Sequence, residues 1–249
     1  MIEPHPTVLI VGAGGIGAPA AIALAGVGIR SFIVADDDLV EESNLHRQIL
    51  FGRADVGTPK ADALASAIER LPNPLGGARA EPYRARALPE NVLDLVDRAD
   101  VVVDATDNFA SRFLLADAAF LRGVPIVHAA AVRLHATVMA TSKAGMPCYR
   151  CVFEDIPEGV AQDCATSGIL GPVCGVAGAL AAELTARVLG LVARPAFGVL
   201  WTFDGARDRL REVPIRPRPS CPLCGDKRSL VSIDEARYEG PDCSAGAPS

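Results

Sequence analysis

The stretch Val8-Leu9-Ile10-Val11-Gly12-Ala13-Gly14-Gly15-Ile16-Gly17 decides the fold. Four aliphatic residues run without a polar position, as in a strand covered on both faces, and give way to a glycine turn and the alanine-rich, helix-like segment 18–27. In a strand–turn–helix of this kind Gly12, Gly14 and Gly17 let the main chain turn tightly and come close to a phosphate. The helix N-terminus then offers unpaired N–H groups and a favourable dipole. Taken alone, the motif says only that a nucleotide binds.

Working outward, residues 29–35 form a second aliphatic run that closes on Asp36, Asp37 and Asp38. Residues 60–71 have helical spacing, 101–104 form a buried-strand run ending before Thr106-Asp107-Asn108, 113–121 is helical and 125–127 a short strand. This alternation predicts an α/β fold with a Rossmann-like, doubly wound, mostly parallel sheet. After about residue 130 the pattern changes to a strand over 137–141, a Cys-x-x-Cys pair, and a loop through Pro157. A long alanine-rich helix from about Gly175, strands over 198–203 and 210–213, and a second Cys-x-x-Cys follow.

With 249 residues, half of them hydrophobic, the chain suits one large domain, expected over 1–238 with a disordered Gly/Pro/Ser-rich tail at 239–249. A net charge of -6 with acids and bases interspersed argues against nucleic acid and anionic membrane as partners. The N-terminus lacks a basic, cleavable apolar leader, and the apolar run 176–191 is interrupted by Glu183 and Arg187, so a cytoplasmic location is expected.

Asp36 stands where an acid at a strand end accepts hydrogen bonds from ribose hydroxyls, which serves NAD as readily as ATP. The next segment separates the two. Asn44, Arg47, Gln48 and Lys60 bring two cations toward the phosphates, which phosphoryl or nucleotidyl chemistry requires and hydride transfer does not. Only three of the 24 basic residues are lysines, so Lys60 marks a place where a compact ammonium suits better than a guanidinium, unless it merely opens a surface helix. Asp107, past a strand end, is the candidate Mg2+ ligand, with an Asx turn or helix cap as the alternative reading of the same segment.

Cys148-Tyr-Arg-Cys151 and Cys221-Pro-Leu-Cys224-Gly are two knuckles whose spacing places two thiolates each on a tetrahedral Zn2+. Four sulfurs close the coordination sphere, so the metal is expected to be structural. Cys164 follows a Pro/Gly-containing loop and is a candidate nucleophile toward an activated acyl group, whereas Cys174 suits a small buried position.

From Val8 to Cys224 the sequence resembles the ThiF/MoeB/HesA family, relatives of the ubiquitin-activating enzymes. The resemblance rests on VLIVGAGGIG, DDDLVEESNLHRQ, GTPKADA, VVDATDN, PCYRC and CATSGILGPVCGVAG, in that order. It implies a homodimer that binds MgATP and adenylates the terminal glycine of a β-grasp sulfur-carrier protein ending in Gly-Gly, similar to ThiS or MoaD. Pyrophosphate is released, in cofactor biosynthesis of the thiamin or molybdopterin type. Gly12, Gly14, Gly15 and Gly17 would lie at the phosphates, Asp36 on the ribose, and Asn44, Arg47, Gln48 and Lys60 around the triphosphate. Asp107, beside Asn108, would hold Mg2+, and Arg47 and Lys60 would carry most of the rate. Cys164 matches the cysteine that joins covalently to the carrier in ThiF-like members. Residues 7–130 would form the nucleotide-binding half and 131–230 the carrier-binding and zinc half.

Departures from the family pattern are the short segment before the first strand, which lacks the arginine that reaches a partner subunit's ATP site, Ala116 in place of an Asn, and Ala136-Thr137 in place of Gly-Gln. With no rhodanese-like extension, persulfide sulfur is expected from another protein. A non-catalytic ATP- or carrier-binding relative and an NAD-dependent oxidoreductase are the alternative readings. The second leaves Arg47, Lys60 and the cysteine knuckles unexplained.

Overall fold

The computed structural model describes residues 5–156 and 168–238. Eight strands form one sheet in the order β3-β2-β1-β4-β5-β6-β7-β8. Strands β1 (Thr7–Val11), β2 (Ser31–Ala35), β3 (Arg79–Tyr83), β4 (Val101–Asp104) and β5 (Ile126–Val132) run parallel. β6 (His135–Thr141), β7 (Val199–Asp204) and β8 (Arg209–Pro214) extend the sheet in antiparallel fashion. The mostly parallel, doubly wound expectation is met, with the antiparallel strands gathered at one side.

Burial on both faces explains why β1 shows no polar alternation. Val8 and Ile10 join the core shared with helices α1 (Gly17–Gly26) and α2 (Lys60–Arg70) and the long α6 (Gly171–Val188). Leu9 and Val11 face the other core, built with α3 (Val92–Val96) and α4 (Phe109–Arg122). Small residues let α6 approach α1 closely. A Cβ on Gly178 would come within 2.6 Å of the Ile16 carbonyl oxygen. A short helix α5 (Tyr149–Phe153) follows the first cysteine knuckle.

Two helices begin four residues earlier than their apolar spacing predicts. Asn108 caps α4 by accepting the Ser111 N–H at 2.9 Å, and Pro172 opens α6 near its first position. β3 and α3 were not expected. Among the described residues no helix is long and apolar enough to cross a membrane. Cys164, the loop from Pro157 and the proposed tail at 239–249 lie outside the described residues.

Candidate active site

The C-terminal ends of β1, β2 and β4 open onto a cavity of about 300 Å3, where the strand order reverses between β1 and β4. The glycine turn forms its floor. Gly12 has a φ of +97°, and a Cβ there would sit 2.7 Å from the Ala105 carbonyl oxygen, so the turn accepts no larger residue without distortion. Gly17 faces the main chain of Gly12 instead, where a Cβ would be 1.9 Å from the Gly12 oxygen. It closes the turn and does not line the cavity.

Gly12, Gly14, Gly15, Asp36, Arg47, Gln48, Lys60, Asp107 and Asn108 all line the space, so nearly the whole predicted set comes together. Asn44 does not line it. Its side chain donates to Glu41 Oε2 at 3.2 Å, while its carbonyl accepts the N–H groups of Arg47 and Gln48 at 3.1 and 3.2 Å and so aims that pair. The Asn108 side chain is committed to capping α4, which meets the capping alternative for that residue.

Lys60 does open a helix, but it is 6% exposed, and its ammonium donates to Asp38 Oδ2 at 2.6 Å. The Arg47 guanidinium makes no ion pair among the described residues. Gln48 is 2% exposed with Oε1 unpartnered, an unmet acceptor at the cavity wall. Asp36 accepts the N–H groups of Ala13 at 2.7 Å and Asp38 at 2.9 Å. Burial outweighs these contacts and lifts its pKa above the ordinary carboxylate value. Asp107 is exposed at the mouth and makes no hydrogen bond or ion pair among the described residues.

Sequence reasoning missed Arg86, Arg112 and Cys174 as lining residues. Arg86 follows the unpredicted β3, and Arg112 lies on the first turn of α4 that the apolar spacing cut off. Cys174 is buried as expected; its sulfur would lie 3.1 Å from a Cβ on Gly15, so α6 closes over the turn.

A second cavity of about 200 Å3 adjoins the first, sharing Asp107, Arg112 and Ala131 with it. Its other walls are mainly apolar, with Ala130, Val132, Met139, Phe153 and Leu200, and it includes Thr137, one of the departures from the family pattern. His128 lines it, and donates from Nδ1 to Asp104 Oδ2 at 2.8 Å. Full burial by itself would raise the Asp104 pKa, but Arg112, His128 and Thr106 together hold it below the ordinary value.

The four cysteines meet as the knuckle spacing predicts. Cys148 Sγ lies 3.9 Å from Cys151 and 3.5 Å from Cys221, and Cys151 lies 3.4 Å from Cys224. A tetrahedron with metal–sulfur bonds of about 2.3 Å has edges of about 3.8 Å, so the donor set fits a tetrahedral ion. Burial pushes the Cys224 thiol up to about 12 and Cys148 higher still, whereas at Cys221 main-chain N–H groups and the neighbouring thiols outweigh burial and hold the thiol below its ordinary value, so the quartet as a whole suits a cation. A Cβ on Gly225 would lie 2.3 Å from the Pro219 oxygen, which ties the second knuckle to glycine at that position. Beside the site, buried Arg150 makes a paired contact with Asp117, with Nε–Oδ1 and Nη2–Oδ2 both at 2.8 Å. Tyr238 Oη donates to the same carboxylate at 2.7 Å, fastening the chain beyond the knuckle to α4.

The family profile described as the ThiF family matches residues 5–223. The chain is 42% identical over 232 residues to the SAMP-activating enzyme E1 of Haloferax volcanii, covering 93% of this chain and 84% of that protein. It is 38% identical over 237 residues to the sulfur carrier protein adenylyltransferase of Thermus thermophilus, covering 92% and 86%. Against the adenylyltransferase and sulfurtransferase MOCS3 of Anopheles gambiae it is 41% identical over 91% of this chain, and it spans about half (51%) of that longer relative. In fold it is similar to E. coli MccB crystallised with MccA-N7isoASN, at a TM-score of 0.76 and 23% identity over 89% of this chain and 67% of MccB.

Proposed function

Because the chain belongs to the ThiF family and its relatives are named as a SAMP-activating enzyme and a sulfur carrier protein adenylyltransferase, we propose that it adenylates the C-terminal glycine of a small β-grasp sulfur-carrier protein, using MgATP and releasing pyrophosphate. The observation that carries this reading is the meeting, in one cavity, of the glycine turn with Lys60, Arg47 and Asp107, the last two without an ion pair among the described residues. Adenylation by a carboxylate needs no strong base. It needs the α-phosphorus and the carboxylate held in line and the growing charge on the phosphates offset.

In this reading Gly12, Gly14 and Gly15 approach the phosphates, Asp36 takes the ribose hydroxyls, and Arg47, Gln48 and Lys60 surround the triphosphate. Asp107 would hold Mg2+, which would supply positive charge to offset that of the phosphates. The four cysteines hold Zn2+, which would fix the segment after β8 onto α5. Residues 1–238 act as one unit, expected to work as a homodimer. The thiamin- or molybdopterin-type pathway follows from the carrier, which the names of the relatives support at the level of a sulfur or SAMP carrier.

The test is ATP–pyrophosphate exchange on zinc-loaded protein with ThiS-like and MoaD-like carriers, each with and without the terminal Gly-Gly. Exchange that needs the Gly-Gly tail and vanishes in Lys60→Ala supports the reading. A folded protein that binds ATP but exchanges with no carrier sinks it, in favour of a non-catalytic binding role.

A further inference from the structure

We propose that His128, held by Asp104, recognises the end of the carrier chain. In the second cavity its Nε2 accepts the main-chain N–H of the carrier's last residue and so sets the terminal carboxylate toward the α-phosphorus in the first. This rests on the adenylation reading above and adds a residue that decides which acyl end is accepted.

The two cavities meet at Asp107, Arg112 and Ala131, so an extended chain end lying in the second delivers its carboxylate into the first. The second cavity holds about 200 Å3 between mainly apolar walls, room for the last residues of an extended chain end. A peptide end entering it would bring its own backbone N–H out of water, and a buried donor without an acceptor is costly. His128 offers the matching acceptor. It is 2% exposed, and its Nε2 has no hydrogen-bond partner among the described residues.

The tautomer follows from the neighbours. Asp104 and His128 are register partners on parallel strands, and Nδ1 donates to the carboxylate. Arg112 already supplies the positive charge beside Asp104, and its Nη2 is anchored on the Thr106 carbonyl. With Nδ1 donating to the carboxylate, the ring in its neutral tautomer presents a lone pair at Nε2. Tyr149 lies against the ring, with centroids 4.4 Å apart, and restrains its rotation.

The experiment uses whichever Gly-Gly-ended carrier supports wild-type exchange, together with a semisynthetic copy whose last residue is N-methylglycine. The expected result is a roughly tenfold or larger rise in the carrier KM for His128→Ala, with the ATP KM unchanged within about twofold. His128→Gln, whose amide oxygen can accept in place of Nε2, recovers part of the loss. The N-methyl carrier should cost the wild type as much as His128→Ala does, and the two changes together should cost no more than either alone. Losses that multiply, or a carrier KM that does not move in His128→Ala, overturn the inference while leaving adenylation intact. Wild-type protein that exchanges with no carrier overturns both. If His128→Ala does not fold, the wild type with the N-methyl carrier decides alone, since unchanged kinetics there rule out the N–H contact.

Discussion

The nucleotide cavity and the four-cysteine site use polar groups in opposite ways. At the knuckles most groups are met from within: four sulfurs lie within 4.8 Å of one another, and the neighbouring Asp117 is met by Arg150 and Tyr238, with only Arg218 Nε left over beside them among the described residues. Around the glycine turn groups are left unmet. Among the described residues the Gln48 oxygen lacks a partner and the Arg47 guanidinium lacks an acid, and Asp107 faces the opening. A region built for stability satisfies its own donors and acceptors, whereas a region built to bind leaves them for the ligand. Changes at the knuckles should therefore cost folding, and changes in the cavity should cost activity.

The largest effect is expected from metal removal. Thiolate sites of this kind contribute on the order of 10 kcal/mol of binding free energy to the folded state. Chelation of the proposed zinc, or Cys221→Ser, should lower the thermal midpoint more than any substitution considered below and release the segment around 216–230 to hydrogen exchange. An unchanged midpoint after verified loss of metal would break the comparison.

Next is Arg150→Met. Arg150 is 2% exposed and meets Asp117 with two parallel contacts, so the variant strands a buried carboxylate. Removing one partner of such a pair costs about 3–5 kcal/mol. Urea denaturation should show that loss, with the ATP KM of the surviving folded protein unaffected. A loss below about 1 kcal/mol would mean that Tyr238 and solvent satisfy Asp117 without the arginine.

Lys60→Ala sharpens the other half. Its partner Asp38 has a side chain 64% exposed, so losing the ammonium returns that carboxylate to water at little cost to folding. Carrier-dependent exchange should fall by about 10²–10³-fold, the size of losing one well-placed charge donor at a reacting centre. A variant that loses stability while its folded fraction keeps the wild-type exchange rate would place Lys60 with the structural residues.

The same contrast explains what could be read from the sequence. Knuckles and glycine turn announce themselves because chemistry fixes their residue types at short spacing, so the cysteine quartet and nearly all of the predicted cavity lining meet as expected. Asn44 stands outside the cavity lining and acts on it through its backbone carbonyl, which residue type does not reveal. β3 escaped because Arg79–Tyr83 carries Pro82 and alternates poorly, a pattern tolerated at the sheet edge it occupies. The Asp104–His128 pair joins two strands buried on both faces, whose aliphatic runs give no register. Only the sheet shows that the two residues lie side by side.

Asp36 and Asp104 make the finest test, since both are carboxylates at the ends of the two strands that flank β1 and their pKa values move in opposite directions. Asp104 is held down against burial by Arg112, His128 and Thr106, so its contribution to stability is present above the unfolded value of 3.8 and is lost as pH falls through the lower folded value. Asp36 is raised by burial, so the folded state holds its proton more tightly, and stability from this group is lost as pH rises from 3.8 through the higher folded value. Asp36→Asn cannot ionise. Compared with the wild type it should gain stability as pH increases across that window, while its ATP KM near neutral pH rises about tenfold through loss of a charged acceptor for the ribose. Thermal midpoints of both proteins across the acid range, with the ATP KM at pH 7, check the two parts separately. Parallel stability profiles would remove the burial strain on Asp36. An unchanged ATP KM would remove the ribose contact, and with it the expectation that the cavity's least comfortable acid is the one its ligand uses.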